Sequence, residues 1–214
     1  MTISLLLSVV GTLAPMGYFG NRPVQVESLA ASILWVCSLL GKTSPKYTFT
    51  FGSLNVLGPL SWGVTLLLTV LLGVGLLYTW WLQWRGRMDL AMACLVTLLI
   101  VIITGKVFSA QFLIWVFPLA AYVGQSRSRW LFFWALLGVL TSEIYPIMYY
   151  KLANFFLVPY IPQFYPVTAV RNCLLLGFIL FVLISRSCPS SKRYLKVGRI
   201  TPSCHKKLLQ IPKR

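Results

Sequence analysis

Long apolar runs recur along this 214-residue chain, at 61–82, 88–103, 109–123, 130–149 and 166–185. Runs of about 20 such residues match a hydrocarbon core ~30 Å thick. Backbone polar groups at that depth must be satisfied internally, which leaves helices or a closed barrel. Barrel strands alternate apolar and polar positions over short segments, and these runs are continuous. A soluble fold does not hide this much apolar surface when 58% of its residues are hydrophobic. The reading is an all-α polytopic transmembrane bundle of about six or seven spans.

Charge gives the expected orientation. Nine of the nineteen basic residues follow Ser185, Arg85 and Arg87 share one short loop, and Arg127 and Arg129 share another. Cytoplasmic loops collect such residues. Reading backward from the tail, the run at 166–185 exits to the cytoplasm. Runs 130–149, 109–123, 88–103 and 61–82 then alternate so that both basic loops fall on that side. Two shorter segments, 2–19 and 28–40, complete seven spans if both cross. Residues 1–185 form the membrane domain, and 186–214 form a basic cytoplasmic tail whose Pro, Ser and Lys content predicts disorder. A basic tail beside a membrane draws anionic lipid. This distribution argues against nucleic acid as the partner of a chain with net charge +16.

Two outer loops follow, at 41–59 and 151–166, and their aromatic residues suit an interfacial belt. Between the runs at 88–103 and 109–123 only a tight turn remains, which places Lys106 at the outer edge of the bilayer. An ionisable group at membrane depth faces a cavity, a partner or a substrate, or else it snorkels to the interface.

Only Glu27, Asp89 and Glu143 are acidic. Pro23 can open a helix, which would put Gln25, Glu27 and Ser28 in its first turn and leave Glu27 to pair with Arg22. Glu143 lies in the run at 130–149 at a depth that suits an ion pair with Arg171. Cys37, Cys94 and Cys173 read as packing residues. Cys188 is a candidate for palmitoylation. Cys204-His205 lacks a second pair at zinc spacing, so no metal site is expected. No phosphate loop, nucleophile elbow or HExxH motif is present.

Two stretches carry a family resemblance. One is Arg22-Pro23-Val24-Gln25-Val26-Glu27-Ser28, and the other is Lys106-Val107-Phe108-Ser109-Ala110-Gln111-Phe112-Leu113-Ile114-Trp115 with Pro118 beyond. They resemble the Arg-Gly-Leu-Gln-(Ile/Val)-Glu-Ser and Lys-Val-(Phe/Leu)-Ser-Pro-Gln-Tyr-Leu-Leu-Trp stretches of glycosyltransferase family 87, and Phe51-Gly52-Ser53-Leu54-Asn55 resembles its intervening segment. Pro23 and Ala110 depart from the family's glycine and proline. The resemblance covers residues 18–185 and corresponds to the carboxy-terminal half of a GT-C-class enzyme.

It implies transfer of a hexose, mannose first, from a polyprenyl-phosphate sugar to an extracytoplasmic lipid or glycan acceptor, without a further cofactor. A bacterial plasma membrane is the implied setting. Lys106 would face the leaving phosphate, with Arg171 as a second contact. Ser109 and Gln111 would add hydrogen bonds, although Gln111 is expected on a different side of the helix. Arg22, Gln25 and Glu27 would line the binding site. The acidic outer loop that carries the family's catalytic acid has no counterpart here. The chain is therefore expected to be a fragment, with Glu143 the substitute base to test. Two other classes fit the residues. One is a transporter or flippase-like protein using Lys106, Glu143 and Arg171 as a polar path. The other is a non-catalytic membrane scaffold.

Overall fold

In the computed structural model of this chain the described residues are 20–125, 127–151 and 154–187, with Ser8, Gly11, Ala14, Gly17 and Tyr18. The expected first span falls mainly outside them. So do Cys188, Cys204-His205 and almost all of the basic tail.

The elements run β1 (Val24–Gln25), α1 (Leu29–Leu39), β2 (Lys46–Thr50), β3 (Ser53–Leu57), α2 (Ser61–Trp84), α3 (Leu90–Thr104), α4 (Gln111–Gly124), α5 (Ser128–Ser142) and α6 (Phe164–Ser187). The segment Glu143–Met148 extends α5 across a kink at Tyr145, and a 3₁₀ segment (Phe155–Tyr160) precedes α6.

Among the described residues, three helical stretches are long and apolar enough to cross a membrane: Ser61–Trp84, Ser128–Met148 and Phe164–Ser187. Leu29–Leu39, Leu90–Thr104 and Gln111–Gly124 are apolar but shorter. Helix length by itself thus supports three spans where the apolar runs suggested six or seven. Caps and turns set where these helices begin. Asp89 accepts from the Met92 amide at 3.2 Å, so α3 starts at Leu90. Residues 105–110 are irregular, and α4 begins at Gln111.

Helix α3 is the hub. It packs against α1, α2, α4 and α6, and Leu95, Val96, Leu99, Ile100 and Ile103 are all buried. A helix that is hydrophobic all round belongs inside a bundle. Helix α2 lies outside it and exposes Leu66, Leu67, Val70, Leu71, Val74 and Leu77. Trp62 and Trp84 stand at its two ends, 75% and 77% exposed. At 1.5 Å per residue they are about 33 Å apart, the spacing of two interfacial belts.

The bundle has two chemically distinct ends. At one, Arg87 Nη1 donates to the Ser187 carbonyl at 2.5 Å and Tyr78 meets the Ser187 hydroxyl. The α2–α3 loop thereby lies beside the end of α6, as the shared sidedness of Arg85, Arg87 and the tail required. At the other end sits a three-stranded antiparallel sheet of order β1-β3-β2. This sheet overturns two expectations. Within the expected loop at 41–59, residues 46–57 form a β-hairpin, with Thr48 opposite Asn55 and Phe49 opposite Leu54. Pro23 does not open a helix either. Val24 and Gln25 pair with Val56 and Asn55, and α1 begins only after Ser28, whose hydroxyl accepts from the Ala31 amide at 3.2 Å.

Candidate functional site

The site is built where β1 dips into the bundle. The Gln25 amide donates to the Lys106 carbonyl at 2.9 Å, and the Gln25 side-chain oxygen accepts from the Phe108 amide at 3.0 Å. These bonds stitch the α3–α4 turn to β1. The two stretches that suggested a family are therefore in direct contact, 83 residues apart in sequence.

Beneath them lies a buried polar knot. Arg171 is fully buried on α6, with its guanidinium 4.0 Å from the centre of the Phe108 ring. Its Nη2 donates to the Glu27 carbonyl at 2.6 Å, and Asn172 Nδ2 donates to the same carbonyl at 3.2 Å. Asn172 also reaches Ser32 at 2.9 Å. Glu27 Oε2 lies 3.7 Å from Arg171 Nη1. Neither of those two atoms has a hydrogen bond among the described residues. Tyr149 donates to Glu27 Oε1 at 3.0 Å. Burial pushes the Glu27 carboxyl above its ordinary range, and the Arg171 charge pulls it back.

These contacts correct two expected ion pairs. Glu27 does not pair with Arg22. Strand β1 separates them, and Arg22 turns to Ser53 at 3.1 Å and to the Tyr18 ring. Glu143 does not pair with Arg171. The backbone of Tyr145 leaves helical geometry, and Glu143 instead meets Lys151 at 3.1 Å near the surface.

Two cavities flank the start of α4. An apolar groove of about 420 Å³ runs between α3 and α4, lined by Leu98, Val101, Ile102, Phe112, Trp115 and Val116, with Arg22 and Lys106 among its walls. Lys106 Nζ also donates to the Gly20 carbonyl at 2.7 Å. A polar cavity of about 260 Å³ lies on the other side, with Gln25, Glu27, Ser53, Ser109, Gln111, Tyr145 and Tyr149 in its walls. The Arg22–Ser53 hydrogen bond joins one to the other.

Of the seven expected binding residues, Gln25, Glu27, Ser109 and Gln111 share the polar cavity, and Arg22 and Lys106 share the groove. Gln111 faces the same cavity as Ser109, contrary to the expectation that it lies elsewhere, because Ser109 precedes the helix and is not set by its period. Arg171 lies behind Glu27 and is enclosed. Glu143 and Arg171 line neither cavity, so the polar path of Lys106, Glu143 and Arg171 is not formed. Tyr149, Asn172 and Phe108 are additions. Asn172 was detectable as a second polar residue beside Arg171 in an apolar run, whereas Tyr149 gave no signal distinct from an interfacial aromatic.

Comparison with protein-family models, curated proteins and solved structures gives no match to this chain. The functional reading therefore rests on the geometry.

Proposed function

We propose that this chain is part of a GT-C-like membrane glycosyltransferase similar to family 87, with α1 to α6 and the segment before them making up about seven spans. It transfers a hexose, mannose first, from a polyprenyl-phosphate donor to an extracytoplasmic lipid or glycan acceptor. The basic end of the bundle faces the cytoplasm of a bacterial cell. The observation that carries this reading is the pairing of an apolar groove bearing two cations with a polar cavity beside it. A lipid chain fits the groove, its phosphate meets Lys106 and Arg22, and the attached sugar reaches the cavity across the Arg22–Ser53 bond.

Chemically, cations at a leaving phosphate stabilise the charge that develops as its bond to the sugar breaks. The acceptor hydroxyl needs a base, which the family's missing acidic loop would supply from elsewhere. The exposed Glu143, held by Lys151, is poorly placed for that role.

The test is photolabelling by a polyprenyl phosphate of the full chain in lipid nanodiscs. Label is expected on α3 and α4. Each charge-assisted contact is worth about 1.5–3 kcal/mol, so Lys106→Ala with Arg22→Ala should weaken labelling at least about tenfold. Equal labelling by the phosphate-free polyprenol, or by the double variant, would refute the reading.

A further inference from the structure

We propose that the cleft between α4 and α5 binds an anionic phospholipid. An acyl chain lies in the cleft, and the lipid phosphate meets Arg127 and Arg129. The inference needs only a chain embedded in a bilayer and is independent of the transferase reading.

This cleft is separate from the two cavities at the start of α4 and has a volume of about 340 Å³. Ala120, Ala121, Ala135 and Gly138 leave the space, and Phe117 and Trp134 line it with rings. Trp130 and Trp134 pack on Phe178, in the half of α6 that leads to Ser187. Ala121, Leu131 and Ala135 are exposed, so the cleft opens outward. From Trp130 to Gly138 it runs about 12 Å along α5 at 1.5 Å per residue. That is most of the ~15 Å depth of one hydrocarbon leaflet.

Two features say what fills it. The first is an unmatched donor. Trp134 is 6% exposed, and its Nε1 has no hydrogen-bond partner among the described residues. The neighbouring Trp130 Nε1, by contrast, donates to the Ala120 carbonyl. A buried N–H left without an acceptor is costly, and a hydrocarbon chain offers none. A phospholipid supplies one through its glycerol ester carbonyls. Depth agrees with this. Trp134 is about 10 Å along α5 from Arg127, and a long helical side chain leans back over the preceding turn. The indole therefore lies roughly 5 Å below the arginines, as ester carbonyls lie below a lipid phosphate.

The second feature is charge. Arg127 and Arg129 are exposed at the start of α5. No acid stands in the chain between Asp89 and Glu143, and those two engage the Met92 amide and Lys151. Arg127 is the N-cap of α5 and makes no side-chain capping bond, so the helix dipole adds to the attraction for an anion. Arginines at this depth draw anionic headgroups over neutral ones.

The experiment is NMR on the full chain, isotope-labelled at its tryptophan indoles, in neutral detergent micelles titrated with phosphatidylglycerol or phosphatidylcholine. Trp134→Phe assigns the Trp134 indole N–H resonance. That resonance is expected to move downfield with phosphatidylglycerol at a concentration at least about tenfold lower than with phosphatidylcholine. Arg127→Gln with Arg129→Gln should bring the two midpoints together. Beyond its own helix, a Cβ at Gly138 would touch only the tip of the Phe117 ring, at 3.8 Å. Gly138→Leu should therefore fill the cleft and abolish the shift while the other indole resonances stay in place. Equal midpoints in wild type, a Trp134 resonance that moves with neither lipid, or an unchanged titration in Gly138→Leu overturns the proposal. So does a dimer whose Trp134 resonance is already downfield without added lipid, because a second copy would then hold the donor.

Discussion

At Arg171 one side chain joins three parts of the chain. Its guanidinium holds the Glu27 carbonyl, lies on the Phe108 ring and sits beside the Glu27 carboxylate. Removing one partner of a buried pair strands the other and costs about 3–5 kcal/mol. Arg171→Leu should therefore lower unfolding stability in detergent by about that amount, and a second substitution, Glu27→Leu, should recover part of it. A loss below about 1 kcal/mol in the single variant would show that the pair is not structural. Arg171 and Glu27 both stood out in the sequence as charges in an apolar setting. Their pairing did not, because it joins residues 144 apart through a strand that the proline at 23 had disguised.

The hairpin of β2 and β3 shows at the scale of an element what periodicity misses. Its turn places Phe51 at φ 55° and Gly52 at φ 71°, the left-handed pair that a two-residue hairpin turn requires. Asn55 locks that turn from inside, donating to the Thr50 carbonyl at 2.7 Å and to the Ser53 carbonyl at 2.9 Å. Asn55→Ala leaves both carbonyls short of a partner and should cost about 1–3 kcal/mol, seen as faster amide exchange across 46–57 with α3 unaffected. An unchanged exchange rate would place the lock elsewhere. The helices were legible because apolar runs dominate them, while a five-residue strand rich in Tyr, Thr and Phe, as β2 is, looks like an interfacial loop.

A second element-level contact is set by glycine. A side chain at Gly124 would collide with the Trp130 ring, because the indole lies over the α4 backbone and donates to the Ala120 carbonyl at 2.7 Å. Gly124→Ala must push α4 and α5 apart. Its expected effect is about 1–3 kcal/mol of lost stability, and Trp130→Leu in the same chain should relieve most of it. Failure of that rescue would mean the two helices are held by other contacts.

For the whole molecule, the two ends of the bundle differ in kind. One gathers Arg85, Arg87 and the last turn of α6, and the other holds the sheet and both cavities. Single cysteines at Gly52 and at Gly86, in a background whose native cysteines are replaced by serine, should react with an impermeant thiol reagent from opposite sides of the membrane. Labelling of both from one side would dissolve the orientation on which the outer-face chemistry depends. The count of spans was the less legible property. Apolar composition is read directly from residues, but where a helix starts depends on caps such as Asp89 and on irregular turns such as 105–110.

The clasp between Glu27 and α6 also sets an order of assembly. A ribosome releases β1 and α1 long before it makes Arg171, so until then the Glu27 carboxylate lacks that counter-charge. The nascent chain must hold this acid near the membrane surface until α6 emerges and seals it in. Chains stopped before Phe164 should be cleared by quality-control proteases, while chains stopped after Ser187 should persist.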